Sequence, residues 1–557
     1  MVTIAEELAK KQREISISEF FLKNRHLLGF DNPTRALMMV VKEAVDNSLD
    51  ATTEMKVLPE IKIELKQVTE DRFIVIVEDN GPGIVRQQIP NIFGKLLYGS
   101  KFHSLRQNRG QQGIGISAAV LYSQLTTGKS TKIYSRVGPK KAAHYFELQI
   151  DTQKNDPNVL KDQEIDWDKD HGTKIEIEIE GRYLKGKQSV DEYIKETAIV
   201  NPHATFIYIS PEKEKLVYER VTEELPVETK EIKPHPYGIE LGHLIRMLQD
   251  TRANTISGFL QSDFSRIGQQ TAKGICSKAD LKAEEKPKKL DGRQIEALFK
   301  SLQETKIMAP PGDCLSPIKA ELLEKGLKKE INADFYVTST RPLAVYRGMP
   351  FQIEVGISFG GEIEKESQIR LMRFANRVPL LYQQGACAIT EAVTDMNWKP
   401  YGLQQSGNNL PTGPAIILVH IASVWVPFTN EAKEAIAHYD EIIKEMKLAL
   451  QECGRKLSIY IHKHIRAAEQ RDKINLFEKY IPELASALSN LTNNKRDPIQ
   501  ERLQKILKKE LPTLEAENGA IEEDESVQNI KEQEGNKKIK NEKKEKQTTL
   551  NTKKIRR

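Results

Sequence analysis

The apolar positions change period several times along the chain, and each change predicts a change of element. In "PTRALMMVVKEAVDNSLDA", residues 33–51, they recur with helical spacing. In "EIKIELKQ", "RFIVIVED", "TKIYSRV" and "TKIEIEIEG" they alternate or run on as they do in strands. Helices and strands in this order up to about residue 230 predict an α+β layer arrangement. From 234 to 304 short helices and small-residue turns take over, with the basic linker "KAEEKPKKLDG" among them, and a small helical insert is expected. Strands return from 331 in "FYVTSTRPLAVYRGMPFQIEVGISFGG", "LMRFANRVPLLYQQGACAI" and "PAIILVHIASVWVPF", which predicts a second α+β domain.

After Pro427 the apolar residues keep a heptad, with Ile436, Ile443, Leu450 and Leu457 at one position and Tyr439, Met446, Cys453 and Tyr460 at the other. The expectation is one helix running to about Arg471, roughly 60 Å long. Beyond 514 the chain is acidic first and basic last with few large apolar residues, the composition of a disordered tail. The 557 residues exceed what one hydrophobic core supports, so about three domains plus extensions are expected.

Composition narrows the class. No run of about eighteen apolar residues is present to span a bilayer, and the first residues lack the apolar core of a signal peptide, so an intracellular protein without a membrane partner is expected. Cys276, Cys314, Cys387 and Cys453 form no C-x-x-C pair and read as ordinary thiols. A net charge of +5 is the difference between 84 basic and 79 acidic residues, so any nucleic-acid contact must come from local patches.

Four short stretches carry candidate chemistry. In "VKEAVDNSLDA", Glu43 and Asn47 share a helix stripe with Asp50, although a lone E-x-x-x-N is ordinarily a solvated face. In "VEDNGPGI", Asp79 ends a strand and Gly81 and Gly83 allow a tight turn, so a fixed carboxylate could accept from an exocyclic amine. In "RGQQGIGISAAVLYS", glycines 110, 113 and 115 open an apolar helix whose exposed N–H groups suit phosphate. In "HGTKIEIEI", Thr173 precedes a strand and could offer a hydroxyl to a base or a water. "TTGKS" at 126–130 is rejected as a P-loop, because Ser123 stands where the required glycine would be. "DWDKD", with Asp166, Asp168 and Asp170, is read as a charged turn rather than a metal site.

In this order and at these separations the four stretches resemble the GHKL ATPase family, which groups gyrase B-type topoisomerases, heat-shock chaperones, mismatch-repair MutL and histidine kinases. Further segments, "SEFFLKNRHLLGFDNPTRAL", "LYGSKFHSLRQNRGQQGIGISAAVLYSQ", "AIVNPHATF", "ANRVPLLYQQGACAIT" and "NWKPYGL", are similar to the B subunits of the type IIB enzyme DNA topoisomerase VI, over about residues 15 to 510. The resemblance implies a Bergerat-type ATPase sandwich with an N-terminal strap over 1–230 and a helix-two-turns-helix insert over 231–306. A ribosomal S5-like transducer with its long helix would follow over 307–472, a helical region that binds the A subunit over 473–514, and the disordered tail over 515–557.

It also implies roles. Glu43 would be the general base, Asn47 the Mg²⁺ ligand, and Asp79 the reader of adenine in ATP, with Gly83 and Thr173 beside it. Gly110, Gln111, Gln112, Gly113, Ile114, Gly115, Ile116 and Ser117 would wrap the phosphates, with Ser100 and Lys101 in the preceding lid. Lys433 is assigned as the γ-phosphate-sensing lysine in the first turn of the long helix, with Lys101 and Lys399 as alternatives. DNA contacts would come from Trp398, Lys399 and Tyr401, and from Lys185 and Lys187 in "KGKQ", where Gln188 replaces a basic residue of the family's loop. The implied partners are the cleaving A subunit in an A2B2 heterotetramer, a second copy of this chain in an ATP-dependent dimer, and double-stranded DNA. The implied location is cytoplasmic and nucleoid-associated. The alternatives are a chaperone-like or mismatch-repair-like ATPase clamp with a protein client, and a scaffold with a vestigial site.

Overall fold

Side-chain caps start two helices near the beginning of the described chain. Ser16 accepts from Glu19 N to open α1, Ile17–Lys23, and Asn32 accepts from Arg35 N at 2.8 Å to open α2, Pro33–Met55. Pro33 occupies the first turn of α2, where a missing N–H is harmless. The structure, a computed structural model, describes residues 4, 8–9, 12, 15–100, 105–110, 113–492 and 494–507. The tail from 515, most of the segment before residue 15, and Lys101, Gln111 and Gln112 lie outside the described residues.

Helix α2 is covered on nearly every side. Leu37, Val40, Val41, Val45 and Leu49 are at most 1% exposed, and even Lys42 and Asp46 are buried. It rests on an eight-stranded sheet made of β1 (Glu60–Thr69), β2 (Arg72–Asp79), β3 (Thr131–Arg136), β4 (Ala143–Asp151), β5 (Asp156–Ile165), β6 (Gly172–Glu180), β7 (Thr205–Ile209) and β8 (Lys215–Tyr218). The order is β5-β4-β3-β6-β2-β1-β7-β8, antiparallel except for β1 with β7. Two features of this layer position the site. The β2–β6 register sets Asp79 opposite Thr173. Between β2 and β3 run α3, Ile89–Gly94, and α4, Gly115–Thr127, the latter tied to β6 by Tyr122 and Ser123 hydroxyls donating to the carbonyls of Glu180 and Glu178. Gly128 ends α4 in a left-handed cap, so "TTGKS" is a helix end. Helix α5, Val190–Val200, joins β6 to β7.

Four helices follow, α6 (Leu241–Asp250), α7 (Ile256–Asp263), α8 (Gln269–Lys278) and α9 (Gly292–Glu304), around a core of their own that includes Leu244, Phe259, Leu260, Ile275 and Leu298. After α10, Ala320–Glu330, a second sheet forms from β9 (Phe335–Thr340), β10 (Ala344–Tyr346), β11 (Met349–Phe359), β12 (Arg370–Ala375), β13 (Val378–Pro379) and β14 (Ala415–Ser423), with α11, Ala388–Thr394, between the last two. Strand β14 lies between β11 and β12, and every one of its residues is buried.

The long helix, α12, spans Asp440–Thr492, so both of its ends differ from the heptad expectation. Ile436 and Tyr439 precede it: an antiparallel β-bridge between Phe428 and Ile436 closes the turn-containing loop between them, and acidic Asp440 and Glu441 then fill the first turn of the helix. Ile443, Met446, Leu450, Cys453 and Leu457 are all buried, so the seam is real from Ile443 onward. Past Ile459 the helix belongs to a second compact unit, described as far as residue 507. All four cysteines are free and buried.

Where α10 crosses α5, a Cβ on Gly326 would stand 2.2 Å from the Ile199 carbonyl oxygen, which belongs to helix backbone and cannot swing aside. Gly326→Ala should therefore cost about 1–3 kcal/mol, read as a lower thermal midpoint in differential scanning calorimetry.

Candidate active site

A cavity of about 600 Å³ opens between α2, the end of β2, the start of β6 and the first turn of α4. Its apolar wall includes Phe30, Met39, Ile84, Ile92 and Phe93, and its polar groups come from five separate stretches of chain. Glu43 and Asn47 project into it from α2, one turn apart.

Glu43 is the most constrained of these groups. A Cβ on Gly115 would lie 1.7 Å from its Oε2, so only glycine at the start of α4 lets the carboxylate and the helix meet. Lys42 Nζ stands 3.0 Å from Glu43 Oε1 and 3.2 Å from Asp46 Oδ2, and Tyr193 Oη on α5 donates to Asp46 Oδ1 at 3.1 Å. Burial pushes the Glu43 pKa up, but the ammoniums of Lys42 and Lys433 outweigh it, and the carboxyl is held below its ordinary value. Burial raises the Asp46 pKa, against the pull of Lys42. Burial also lowers the Lys433 pKa, opposed by Glu43.

At the other end of the cavity Asp79 is nearly buried and accepts three hydrogen bonds: from Ser48 Oγ at 2.8 Å on Oδ2, and from Gly81 N at 2.9 Å and Thr173 N at 3.3 Å on Oδ1. Burial raises its pKa despite these donors. Gly83 turns at φ +68, where a Cβ would meet the Arg136 carbonyl at 2.1 Å. The turn therefore requires glycine.

Helix α4 begins at Gly115 behind Ile114, whose side chain offers no cap, so its first-turn N–H groups are left for the cavity. Gly110, Gly113, Ile114, Gly115, Ile116, Ser100 and Thr173 all line the cavity. Ser117 does not: it is buried, and its hydroxyl donates to the Ile114 carbonyl at 3.0 Å. Lys433 reaches the cavity from a left-handed turn at φ +56, well ahead of Asp440 where α12 begins, and not from the first helical turn expected for it. Its Nζ donates to the Arg109 carbonyl at 2.9 Å, and the next residue, Glu434, pairs with Arg35 of α2. Of the two alternatives, Lys399 is exposed and does not line this cavity, and Lys101 lies outside the described residues.

Asn47 is exposed to the cavity, and among the described residues no cluster of three or more His, Cys, Asp or Glu could hold a metal. A single carboxamide oxygen suits a hard cation that takes its remaining ligands from phosphate and water.

The residues suggested for DNA separate into anchors and exposed cations. Trp398 is fully buried with Nε1 donating to the Val393 carbonyl at 2.8 Å, so its indole anchors the loop that carries Lys399. Tyr401 packs on Gly454, where a Cβ would meet its ring at 2.9 Å. Lys399 between them is exposed. Lys185 pairs with Glu212 at 2.8 Å and Glu214 at 3.6 Å, which offsets its charge, while Lys187 is exposed.

Sequence reasoning missed Lys42, Asp46, Ser48 and Arg109. Lys42 and Asp46 flank the two key residues, but charged residues in a helix read as surface until their burial is seen.

Comparison with known proteins adds a second kind of observation. Residues 32–182 match the family described as histidine kinase-, DNA gyrase B-, and HSP90-like ATPase, and residues 310–473 the family described as topoisomerase VI B subunit, transducer. The chain is 51% identical over 518 residues to the B subunit of type 2 DNA topoisomerase 6 from Methanococcoides burtonii, covering 93% of this chain and 83% of that protein. To the proteins of the same name from Archaeoglobus fulgidus and Natronomonas pharaonis it is 46% and 35% identical, with 88% and 93% of this chain and 81% and 88% of theirs covered.

If Gly115 is glycine because of Glu43, Gly115→Ala should displace the carboxylate and lower nucleotide hydrolysis at least about 100-fold, measured by phosphate release with circular dichroism confirming the fold.

Proposed function

Because the chain belongs to the family of topoisomerase VI B subunits, and so is the ATP-driven component of a type IIB DNA topoisomerase, we propose that the cavity beside α2 is where its ATP is bound and hydrolysed. The observation that carries this reading is Glu43, a carboxylate kept ionised by Lys42 and Lys433 and set against the first turn of α4. An ionised carboxylate there takes a proton from a water facing the γ-phosphate, and so acts as general base. The N–H groups from Gly113 to Ile116 receive phosphate oxygens, and Lys433 meets the terminal one, exchanging its bond to the Arg109 carbonyl for a phosphate oxygen. Asp79 keeps acceptor capacity for the adenine amine, with Gly83 and Thr173 closing that end, and Ser100 and Lys101 belong to the lid. Ser117 contributes only through its place in the helix. Mg²⁺ held by Asn47 would neutralise charge developing on the phosphates.

The same reading assigns the parts. Residues 1–230 form the ATPase domain with its strap, 231–306 the insert, 307–472 the transducer and 473–514 the region that meets the A subunit. Support for the last comes from Leu476, Tyr480, Leu484 and Leu488, exposed apolar residues at four-residue spacing on α12. The working form is an A2B2 heterotetramer in the cytoplasm, associated with the nucleoid, in which two copies of this chain dimerise on ATP around a second duplex. Closure is relayed through the transducer to the A subunits, which cut DNA. Lys187 and Lys399 supply backbone contacts to the duplex, Tyr401 and Trp398 hold the Lys399 loop, and Lys185 adds little because its charge is already paired. The transducer match leaves a chaperone-like or mismatch-repair-like clamp without support.

Glu43→Ala should bind ATP without hydrolysing it, so light scattering should show monomers without nucleotide and dimers with Mg-ATP; a mass indifferent to nucleotide would contradict the clamp. A base held below the ordinary carboxylate pKa is already charged at neutral pH. Hydrolysis should therefore be level from about pH 6 to 8 and fall only in acid; a single-proton rise near pH 7 would place the base elsewhere.

A further inference from the structure

Strands β12 and β13 are joined by two residues, Asn376 at φ +48 and Arg377 at φ +65. Two successive left-handed residues make the hairpin turn that ordinarily takes Asn-Gly. Here the second position is an arginine, and both residues are more than nine-tenths buried. A left-handed non-glycine residue costs about 1–2 kcal/mol, and such strain persists where surrounding structure enforces it.

The surroundings are specific. Asn376 Nδ2 donates to the Asn108 carbonyl and to the Ser423 carbonyl, both at 2.9 Å, and its Oδ1 accepts from Ser423 N at 2.9 Å. Arg377 N donates to His420 Nε2 at 3.0 Å. Ser423 and His420 belong to β14, the central strand of the second sheet. Asn108 belongs to the stretch that enters the glycine loop. The next residue, Arg109, receives Lys433 on its carbonyl, pairs through its guanidinium with Asp50 of α2 at 2.9 Å, and donates to Asn201 Oδ1 at 2.7 Å. Asn201 Nδ2 in turn donates to the Arg377 carbonyl at 3.3 Å. The strained turn therefore grips the entrance of the glycine loop directly at Asn108 and indirectly at Arg109.

We propose that the Asn376–Arg377 turn is a latch between the second sheet and the glycine loop, and that Asn376 is a positioning residue for ATP-coupled strand passage, acting alongside Lys433. The inference rests on the ATP-site reading above. Its physical basis is that the Asn376 bonds are buried. If the loop tightens on phosphate and moves the Asn108 carbonyl, either a buried donor is left unpaired, at a cost of about 1–3 kcal/mol, or β14 follows. Asparagine suits the position because it tolerates the left-handed conformation and still supplies a donor.

The test uses the chain assembled with its A subunit on supercoiled DNA, counting ATP hydrolysed and supercoils removed in one reaction. Asn376→Gly keeps the left-handed turn and deletes the carboxamide. Supercoils removed per ATP should fall at least about fivefold, with hydrolysis itself largely kept. An unchanged ratio overturns the latch, and so does a loss of relaxation matched by an equal loss of hydrolysis, which is what a purely structural role would give. Should Asn376→Gly not fold, Asn376→Asp keeps the acceptor for Ser423 N, loses the donor to both the Asn108 and Ser423 carbonyls, and carries the same expectation. Glu43→Ala in the same assay separates the two readings. If it still hydrolyses ATP, the site reading fails; if it does not and the Asn376 ratio stays at the unsubstituted value, only the latch fails.

Discussion

The carboxylate of Glu43 lies closer to the backbone of α4 than any side chain at Gly115 would permit, and much of the ATPase half of the molecule is arranged around that approach. Bringing an anion into a covered position raises its cost unless cations accompany it. One cation, Lys42, comes from the same helix and is itself buried; the other, Lys433, arrives from the far side of the second sheet in sequence. Asp46 completes the partners of Lys42, and Tyr193 in turn donates to Asp46. A buried helix face rich in charge is stable here because each charge has an assigned neighbour.

The same pairing of charge with a fixed partner explains how the second sheet reaches the site. The loop before α12 is held by the Phe428–Ile436 bridge and by Glu434 on Arg35, which leaves Lys433 in a left-handed turn at the cavity edge. A lysine in a regular first helical turn would face a positive helix end; placed in a separate turn, it is free of that penalty and is directed by the Arg109 carbonyl. The Asn376 turn, which joins β12 to β13 and is hydrogen-bonded to β14, meets the same loop. The Arg109 and Asn108 carbonyls of one loop are thus met by Lys433 and by Asn376.

Aromatic residues near Lys399 hold an exposed loop in place. Trp398 and Tyr401 meet edge to face, with ring centroids 6.0 Å apart, and Tyr401 seats on Gly454 of α12. Their role is to fix the loop, so that Lys399 is presented outward without a long flexible connection. The heptad residues from Ile443 to Leu457 serve α12 in the same way, burying one seam of the helix within the first unit.

The periods of apolar residues determined the order of layers, the helical insert and the existence of a long helix, because helix and strand periodicity is written locally. The four motifs likewise located Glu43, Asn47, Asp79 and the glycine loop, since each depends on residues a few positions apart. What only the tertiary structure decided is which groups are buried and what meets them. Lys42 is buried although charged, Trp398 gives its N–H to the Val393 carbonyl, and the Ser117 hydroxyl turns back to the Ile114 carbonyl. The start of α12 moved because a bridge between Phe428 and Ile436 outweighs an apolar heptad. In each case the deciding partner is a group whose burial, hydrogen bond or backbone sign is set by three-dimensional packing, which no window of local sequence contains.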